Sequence, residues 1–305
     1  MTMQTATRIR PSSGAKTFRV VATNAAYGKL CERSLKRLPA RFRDRIDLRA
    51  FPSLENVRLP NAKAAGTVFV SRLADLPEKG AKRAFHAGGE SKHLLFVESL
   101  PVEAMPARLV QLDIRNPHRL HVAAERSPEL IVGLLYRLFS GLAHAGGPQS
   151  TMDAWMENEN LVLLSPSFDR LIVPLKQLAK LIGSDAGKIE DFEIDEDGRF
   201  LLWPRADAHL GWEQFLQIVD PAAALAAKQK SEAFNKRYGT AIRALREERG
   251  LKQSDIHGVA ERHLRRIEHG EQAASKRTLE ALAAAHGLSL DEYLKKLAEG
   301  VRGVK

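Results

Sequence analysis

The sequence predicts an α+β, multidomain protein: an N-terminal α/β domain, a small α+β middle domain and an all-α C-terminal domain. Three observations predict it. Short β-rich runs alternate with amphipathic stretches as far as residue 144. Strand-like runs around one short helix follow to about residue 220. Beyond that, apolar residues recur at helical spacing. A length of 305 residues allows two or three domains. The balance of 44% apolar and 28% charged residues is that of a globular chain able to bury its own cores.

Residues 1–16 are rich in Thr, Arg and Ser and read as a flexible tail without an apolar signal segment. The α/β domain, 17–150, opens with a strand at FRVVAT (18–23). A helix is expected over 27–46 on Leu30, Leu35 and Leu38, with Pro39 as its break. Strands are expected at 67–71, 94–98 and 108–113, and an apolar helix at 128–144. The longest apolar stretch, Glu129 to Ala143, falls short of the roughly 20 residues that cross a bilayer and contains Arg137. A buried helix, no membrane partner and a cytoplasmic, nucleoid-associated protein are the expectations. AGGPQS (145–150) reads as a linker. Sensing, dimerisation or partner binding is the role expected of this domain. A receiver-like strand order suits it, but Val70-Ser71 stands where an acidic acceptor would be expected.

In the middle domain, 151–220, ENLVLL and RLIVPL read as strands and Leu175 to Ile182 as a helix. Asp197-Gly198 between two further strands is a hairpin signal. The run from Gly198 to Leu216 resembles the end of a small bacterial domain family of unknown function, through Gly198, Trp203, Pro204, Asp207 and Leu210. That resemblance implies no chemistry.

The formal net charge of +10 is unevenly spread. Residues 1–150 carry +12, residues 151–220 carry −8 and residues 221–305 carry +6. A basic–acidic–basic order suggests segments with different partners, and a basic surface attracts nucleic acid. The run from Lys29 to Arg49, with eight basic and three acidic residues, is either a second nucleic-acid contact or a solvated amphipathic face.

Few residues suggest other chemistry. His118-x-x-His121 lacks further ligands at metal spacing. Glu193-x-Asp195-x-Asp197-Gly198 is similar to a calcium loop, but Pro204 stands where the bidentate Glu belongs, so an acidic hairpin is expected. Cys31, the single cysteine, excludes a disulfide framework. It is either a packed thiol or, among basic neighbours, a redox sensor. Asp153 and Trp155 have no nucleophile–base pair beside them, and no phosphate-cradling or nucleophile-elbow motif is present. No enzyme activity and no cofactor are expected.

Asp220-Pro221 opens a linker helix, 221–233, as N-cap and first helical residue. From 234 to 300, five short helices are expected. Tyr238, Ile242 and Leu245 mark the first, which stops at Gly250. Ile256 and Val259 mark the second, and Leu264 and Ile267 the third, stopped by Gly270. Ser275 caps a helix carrying Leu279, Leu282 and Ala283. Ser289-x-x-Glu292 is a capping box for the last, with Leu290, Tyr293 and Leu294.

The stretch GLKQSDIHGVAERHLRRIEHGEQAASKRTLEALAAAHGLSLDEYL resembles the helix-turn-helix domain of the Cro/lambda-repressor, or Xre, type. The matching residues include Gly250, Leu251, Gln253, Gly258, Val259, Arg266, Ile267, Glu268, Gly270, Thr278, Leu279, Leu282, Ala283, Gly287, Ser289, Leu290, Asp291 and Glu292. The family has about eight steps from its Gln to its Gly; here Gln253 to Gly258 is five, and Lys252 replaces the usual Thr cap. The second helix is therefore expected to be shorter by nearly a turn.

The resemblance implies double-stranded DNA as partner, with the third helix in the major groove. Glu261, Arg262, Arg265 and Arg266 then face outward, and Arg suits guanine O6/N7. Arg266 is implied at phosphate and Glu268 as a scaffold brace. Gln253 is implied at phosphate or base, and Lys252, His263, Lys276 and Arg277 are candidate backbone contacts. The expected function is a bacterial or phage-type transcriptional regulator, such as a repressor, binding an inverted repeat as a homodimer. An antitoxin-like autoregulatory partner of another protein is the alternative.

Overall fold

The structure is a computed structural model that describes residues 17–53, 57, 66–76, 91–97, 119–124, 127–144, 149–183 and 189–303. The expected tail, the strand at 108–113, His118 and most of the expected linker (145–148) lie outside the described residues. The chain divides into two compact units, Met1–Val219 and Asp220–Lys305.

The first unit begins with a parallel sheet. Its strands are β1 (Phe18–Ala22), β2 (Ile46–Ala50), β3 (Gly66–Arg72), β4 (Ser91–Val97) and β5 (Leu120–Ala124). Their spatial order is β2-β1-β3-β4-β5, and every neighbouring pair is parallel. This is one of the doubly wound orders, with its switch point between β1 and β3. The inner strands β1, β3 and β4 carry apolar runs because both of their faces are covered. Alternation sends Val20, Ala22, Val68, Val70, Leu94 and Phe96 to one face, where they meet two helices. These are α1 (Ala25–Arg37) and α3 (Pro128–Ala143). Val21, Phe69, Leu95 and Val97 point to the other face and pack with Leu73 and Leu76.

The helix expected over 27–46 is three elements. Asn24 caps α1, its Oδ1 accepting from Ala26 N at 2.7 Å. Leu38 turns extended ahead of Pro39, as a residue before proline must. A single helical turn, α2 (Ala40–Arg43), follows, and then the edge strand β2. The four residues Ile46-Asp47-Leu48-Arg49 carry a period of two too short to stand out from the helical spacing before them. At the carboxyl ends of β1 and β3, Thr23 Oγ1 donates to Ser71 Oγ at 2.8 Å, both buried. The strand order is the receiver-like one, and Val70-Ser71 near the carboxyl end of β3 stand where an acidic acceptor would be expected.

An antiparallel meander follows: β6 (Asp153–Glu157), β7 (Asn160–Leu164) and β8 (Arg170–Pro174). Then come α4 (Leu175–Ile182), β9 (Glu193–Ile194), β10 (Phe200–Trp203), β11 (Ala208–Gly211) and α5 (Trp212–Val219). Trp203 centres a core with Leu161, Leu201, Trp212 and Phe215, and its indole donates to Ile189 O at 2.8 Å. β6 and β11 were not expected. Asp153 and His209 break the apolar pattern that would have marked them.

The boundary expected near residue 150 is not a separation between two units. Met152, Leu164 and Phe168 join the core under α1 and α3. Arg137 Nε donates to Met152 O at 2.7 Å, and Tyr136 OH to Asp197 Oδ1 at 3.0 Å. His121 Nε2 lies 2.9 Å from Asp153 Oδ2, both side chains buried, and the His121 ring stacks on Trp155. His121 thus has a carboxylate partner across the join. The acids at 193–197 serve the expected hairpin: Asp195 Oδ1 accepts from Phe200 N at 3.2 Å.

Cys31 is fully buried between α1 and the sheet, and burial pushes its thiol up, away from thiolate. That removes the redox-sensor reading, which needs an accessible, acidic thiol. Among the described residues no helix is long and apolar enough to cross a membrane.

The second unit is helical: α6 (Pro221–Glu248), a 3-10 turn (Gln253–Asp255), α7 (Glu261–Glu268), α8 (Lys276–Ala285) and α9 (Leu290–Gly303). Asp220 caps α6, its Oδ1 accepting from Ala222 N at 2.8 Å, with Pro221 next. The expected linker helix and first domain helix are one continuous helix of 28 residues. Ala241, Ile242, Ile256, Leu264, Ile267, Leu282, Tyr293 and Leu297 form its core.

Cys31 should stay unreactive toward a maleimide in the folded protein and react fully once the chain is unfolded in urea. Rapid labelling of the native protein would contradict the burial described for it.

Candidate nucleic-acid interface

The candidate interface is built on α7. Leu264 and Ile267, three residues apart, share one face and are buried, as expected. Glu261, Arg262, Arg265 and Arg266 are exposed on the other side, and His263 is half-buried. Arg262 and Arg265 have no ion-pair partner among the described residues, so both guanidinium groups are available. Arg266 Nε lies 3.5 Å from Glu271 Oε2, and Lys276 Nζ 3.9 Å from Glu280 Oε1, all four more than half exposed. Such surface pairs are weak and yield readily to a phosphate. Arg277 is exposed in the first turn of α8, next to Lys276.

The inner side of α7 is held by charge. Glu268 is buried, and Arg246 of α6 grips it with two bonds, Nε to Oε1 at 2.6 Å and Nη2 to Oε2 at 2.9 Å. Arg246 Nη1 also donates to Leu251 O at 2.6 Å, and Gln253 Nε2 to Glu268 Oε2 at 2.7 Å. One carboxylate therefore ties together α6, the loop at 251, the 3-10 turn and α7. The bond to Glu268 raises the Arg246 pKa further above its ordinary value. The expected brace role of Glu268 takes this form. Gln253, expected at DNA, spends its amide N–H on the brace and is only half-exposed.

Arg246 was not singled out in the sequence. Its signal was an arginine on the Ile242 and Leu245 side of a helix, where a charge needs a partner.

The second helix has shrunk to one 3-10 turn, which answers the five-residue spacing from Gln253 to Gly258. Lys252 is exposed, and its backbone N–H donates to Asp255 Oδ2 at 2.7 Å, so the aspartate supplies the cap the lysine cannot. Gly258, at φ +82, then turns the chain toward α7. Two other glycines let α6 pass close to the end of α7. A Cβ at Gly239 would stand 2.1 Å from Ile267 O, and one at Gly270 2.5 Å from Lys236 Cα.

A family model described as Helix-turn-helix matches residues 242–293. This segment is a helix-turn-helix domain of the Cro/lambda-repressor type. A domain of this type supports a DNA-binding role for this part of the chain. No curated protein and no solved structure matches the chain.

The two helices that follow α7 are capped by side chains, whereas α7 itself starts at Ala260 with no side-chain cap. Ser275 Oγ accepts from Thr278 N at 3.2 Å. In the expected capping box, Ser289 N donates to Glu292 Oε2 at 2.9 Å and Glu292 N to Ser289 Oγ at 3.3 Å.

Glu268→Ala should destabilise the helix-turn-helix domain by about 3–5 kcal/mol, because it removes the two-point partner of a buried Arg246 and leaves it only the looser, half-exposed pair with Glu247 at 3.7 Å. The Arg246→Met/Glu268→Leu double variant should recover much of that loss. Urea unfolding of the parent, Arg246→Met, Glu268→Leu and their double variant measures the coupling, and simple additivity would contradict the buried pair.

The Ser289 bonds hold the Glu292 carboxyl below the usual carboxylate range. Its contribution is therefore present above the ordinary carboxylate pKa and lost as pH falls through the lowered value. Amide exchange at the start of α9 should accelerate on acidification, and Glu292→Gln should flatten that dependence.

Proposed function

We propose that the protein is a sequence-specific transcriptional regulator of bacterial or phage type, acting as a homodimer on an inverted repeat. It acts by binding, without catalysis of its own. The observation that carries this reading is the two-sided character of α7. One side is locked by Leu264, Ile267 and the Glu268 brace, while Arg262 and Arg265 project without partners. A rigid helix presenting free arginines suits the major groove, where each bidentate guanine contact adds about 1–3 kcal/mol of discrimination.

In the docked state Glu261, Arg262 and Arg265 read base edges. Lys252, His263, Arg266, Lys276 and Arg277 hold phosphates on either side. Gln253 acts from behind through the brace and positions the start of α7. A single domain of this size covers one half-site. Two copies with half-sites one helical turn apart, about 10–10.5 base pairs, account for useful affinity.

Enrichment of duplexes from a randomised pool with the full-length protein should return an inverted repeat, bound by two chains per duplex. A single asymmetric site bound by one chain would overturn the dimer. With five to eight phosphates neutralised per chain, log K should fall with log[salt] at a slope near −5 to −7. Arg265→Ala should relax preference at one base position, whereas Lys276→Ala should weaken all sequences alike and shrink the slope by about 1. A salt-independent affinity would overturn DNA binding by this surface.

A further inference from the structure

The +12 of residues 1–150 has no role in a helix-turn-helix contact made elsewhere in the chain. Its densest part, Lys29 to Arg49, lies on α1, α2 and β2, and the structure sorts these eight cations into two groups. One group is used internally. Arg43 Nε donates to Leu38 O at 3.0 Å, Arg45 Nη1 to Ala143 O at 2.7 Å, and Arg49 Nε meets Asp47 at 3.1 Å. Arg37 reaches Glu196 and lies over the Tyr136 ring.

The other group projects into solvent. Lys29, Arg33 and Lys36 follow one another at steps of four and three along α1, so they share a single outer stripe. Arg41 on α2 is also exposed, over the ring of Phe42. Arg33, Lys36 and Arg37, with Glu129 and Val132, line a hollow of about 290 Å³. Glu129 lies 3.6 Å from Arg33, both more than half exposed, and Glu32 is half-buried on the flank. Neither acid balances the stripe, and such exposed pairing competes weakly with a phosphate.

We infer that the α1–α2 face is a second phosphate-binding surface for the duplex, used together with the helix-turn-helix domain. This rests on the DNA-binding reading above and extends it to the first unit. Lys29 and Lys36 lie about 10 Å apart along the helix axis. Through their long side chains, cations this far apart can reach neighbouring phosphates of one DNA strand. A row of cations at this spacing can hold consecutive phosphates of a backbone, with the Arg33–Lys36–Arg37 hollow taking one of them. Nothing on the stripe is shaped to read a base edge, so the contact is indifferent to sequence.

The test uses the full-length protein and the triple variant Lys29→Gln/Lys36→Gln/Arg41→Gln, whose changed residues carry no buried contact. Binding to a 40-base-pair duplex of random sequence is followed across salt concentrations. If the face grips DNA, the variant should bind at least tenfold more weakly at low salt. Its log K–log[salt] slope should be shallower by about 2–3, at about 0.9 per phosphate. Its thermal unfolding should match that of the parent protein. Affinity and slope equal to the parent's would overturn the inference.

Arg262→Gln/Arg265→Gln serves as the control. If this variant loses binding while the triple variant does not, the helix-turn-helix reading stands and the second surface falls. If the parent itself fails to bind DNA, it is the functional reading that fails. Calorimetric titration with inorganic phosphate at constant ionic strength is the remaining arm. Saturable phosphate binding lost in the triple variant, with an unchanged DNA slope, would assign the hollow to a free anion and overturn its role on DNA.

Discussion

The architecture of the DNA-binding domain depends on one buried carboxylate. Glu268 is almost fully buried at the end of α7, where an ionised group costs several kcal/mol unless it is paired and hydrogen-bonded. Arg246 answers it with a two-point grip, and the remaining acceptor capacity is filled by Gln253. Arginine is the cation suited to this, since its planar fork matches a carboxylate in geometry and is less strongly hydrated than an ammonium. The pair costs desolvation and returns orientation. A hydrophobic pair would pack as well, but would not fix the rotation of α7 relative to α6. That rotation decides which residues face the groove.

The same brace explains how the domain survives a shortened second element. In a helix-turn-helix the second helix supports the recognition helix from behind. Here that support is a single 3-10 turn, too short to bury an apolar face of its own. Its place is taken by polar ties: Gln253 to Glu268, Arg246 to Leu251 O, and Asp255 to the Lys252 amide. Ile256 supplies the one fully buried side chain of the segment. The close passage of α6 at Gly239 and Gly270 completes the support, since a methyl group at either position would collide with backbone. Directional bonds thus replace area where the chain is too short to provide area.

These features differ in how far they can be read without coordinates. The all-α C-terminal domain was legible because its signals are local: Asp220-Pro221, the Ser275 cap, the Ser289–Glu292 box and glycine stops each act within one turn. The outward set Glu261, Arg262, Arg265 and Arg266 followed from the spacing of Leu264 and Ile267 alone. Arg246 was not legible, because its partner lies 22 residues away and no local pattern links them. The bond from Gln253 to Glu268 is equally long-range and equally invisible to local pattern. In the first unit, β1, β3 and β4 were visible as apolar runs, whereas β2, β6 and β11 carry alternating or polar residues that tertiary pairing makes into strands. The packing of Met152 and Phe168 beneath α3 could not be read from a glycine-containing join that looked like a linker.

The charge distribution closes the physical picture. A net charge acts at long range only where it is neither paired nor screened, so the sum over a segment says less than the sorting of its side chains. On the first unit half of the Lys29–Arg49 cations are consumed in holding α2, β2 and the end of α3 in place. The remainder form one stripe. On α7 the sorting is sharper still, with the acid Glu268 turned inward to a cation and Arg262 and Arg265 turned outward with no ion-pair partner among the described residues. In both places the fold first satisfies the charges it buries, and the surplus is left projecting from a rigid helix. A surplus held on a rigid element loses little backbone freedom when it meets a phosphate. That is why these two faces, rather than the more numerous paired charges, are where the protein's basic character is expressed.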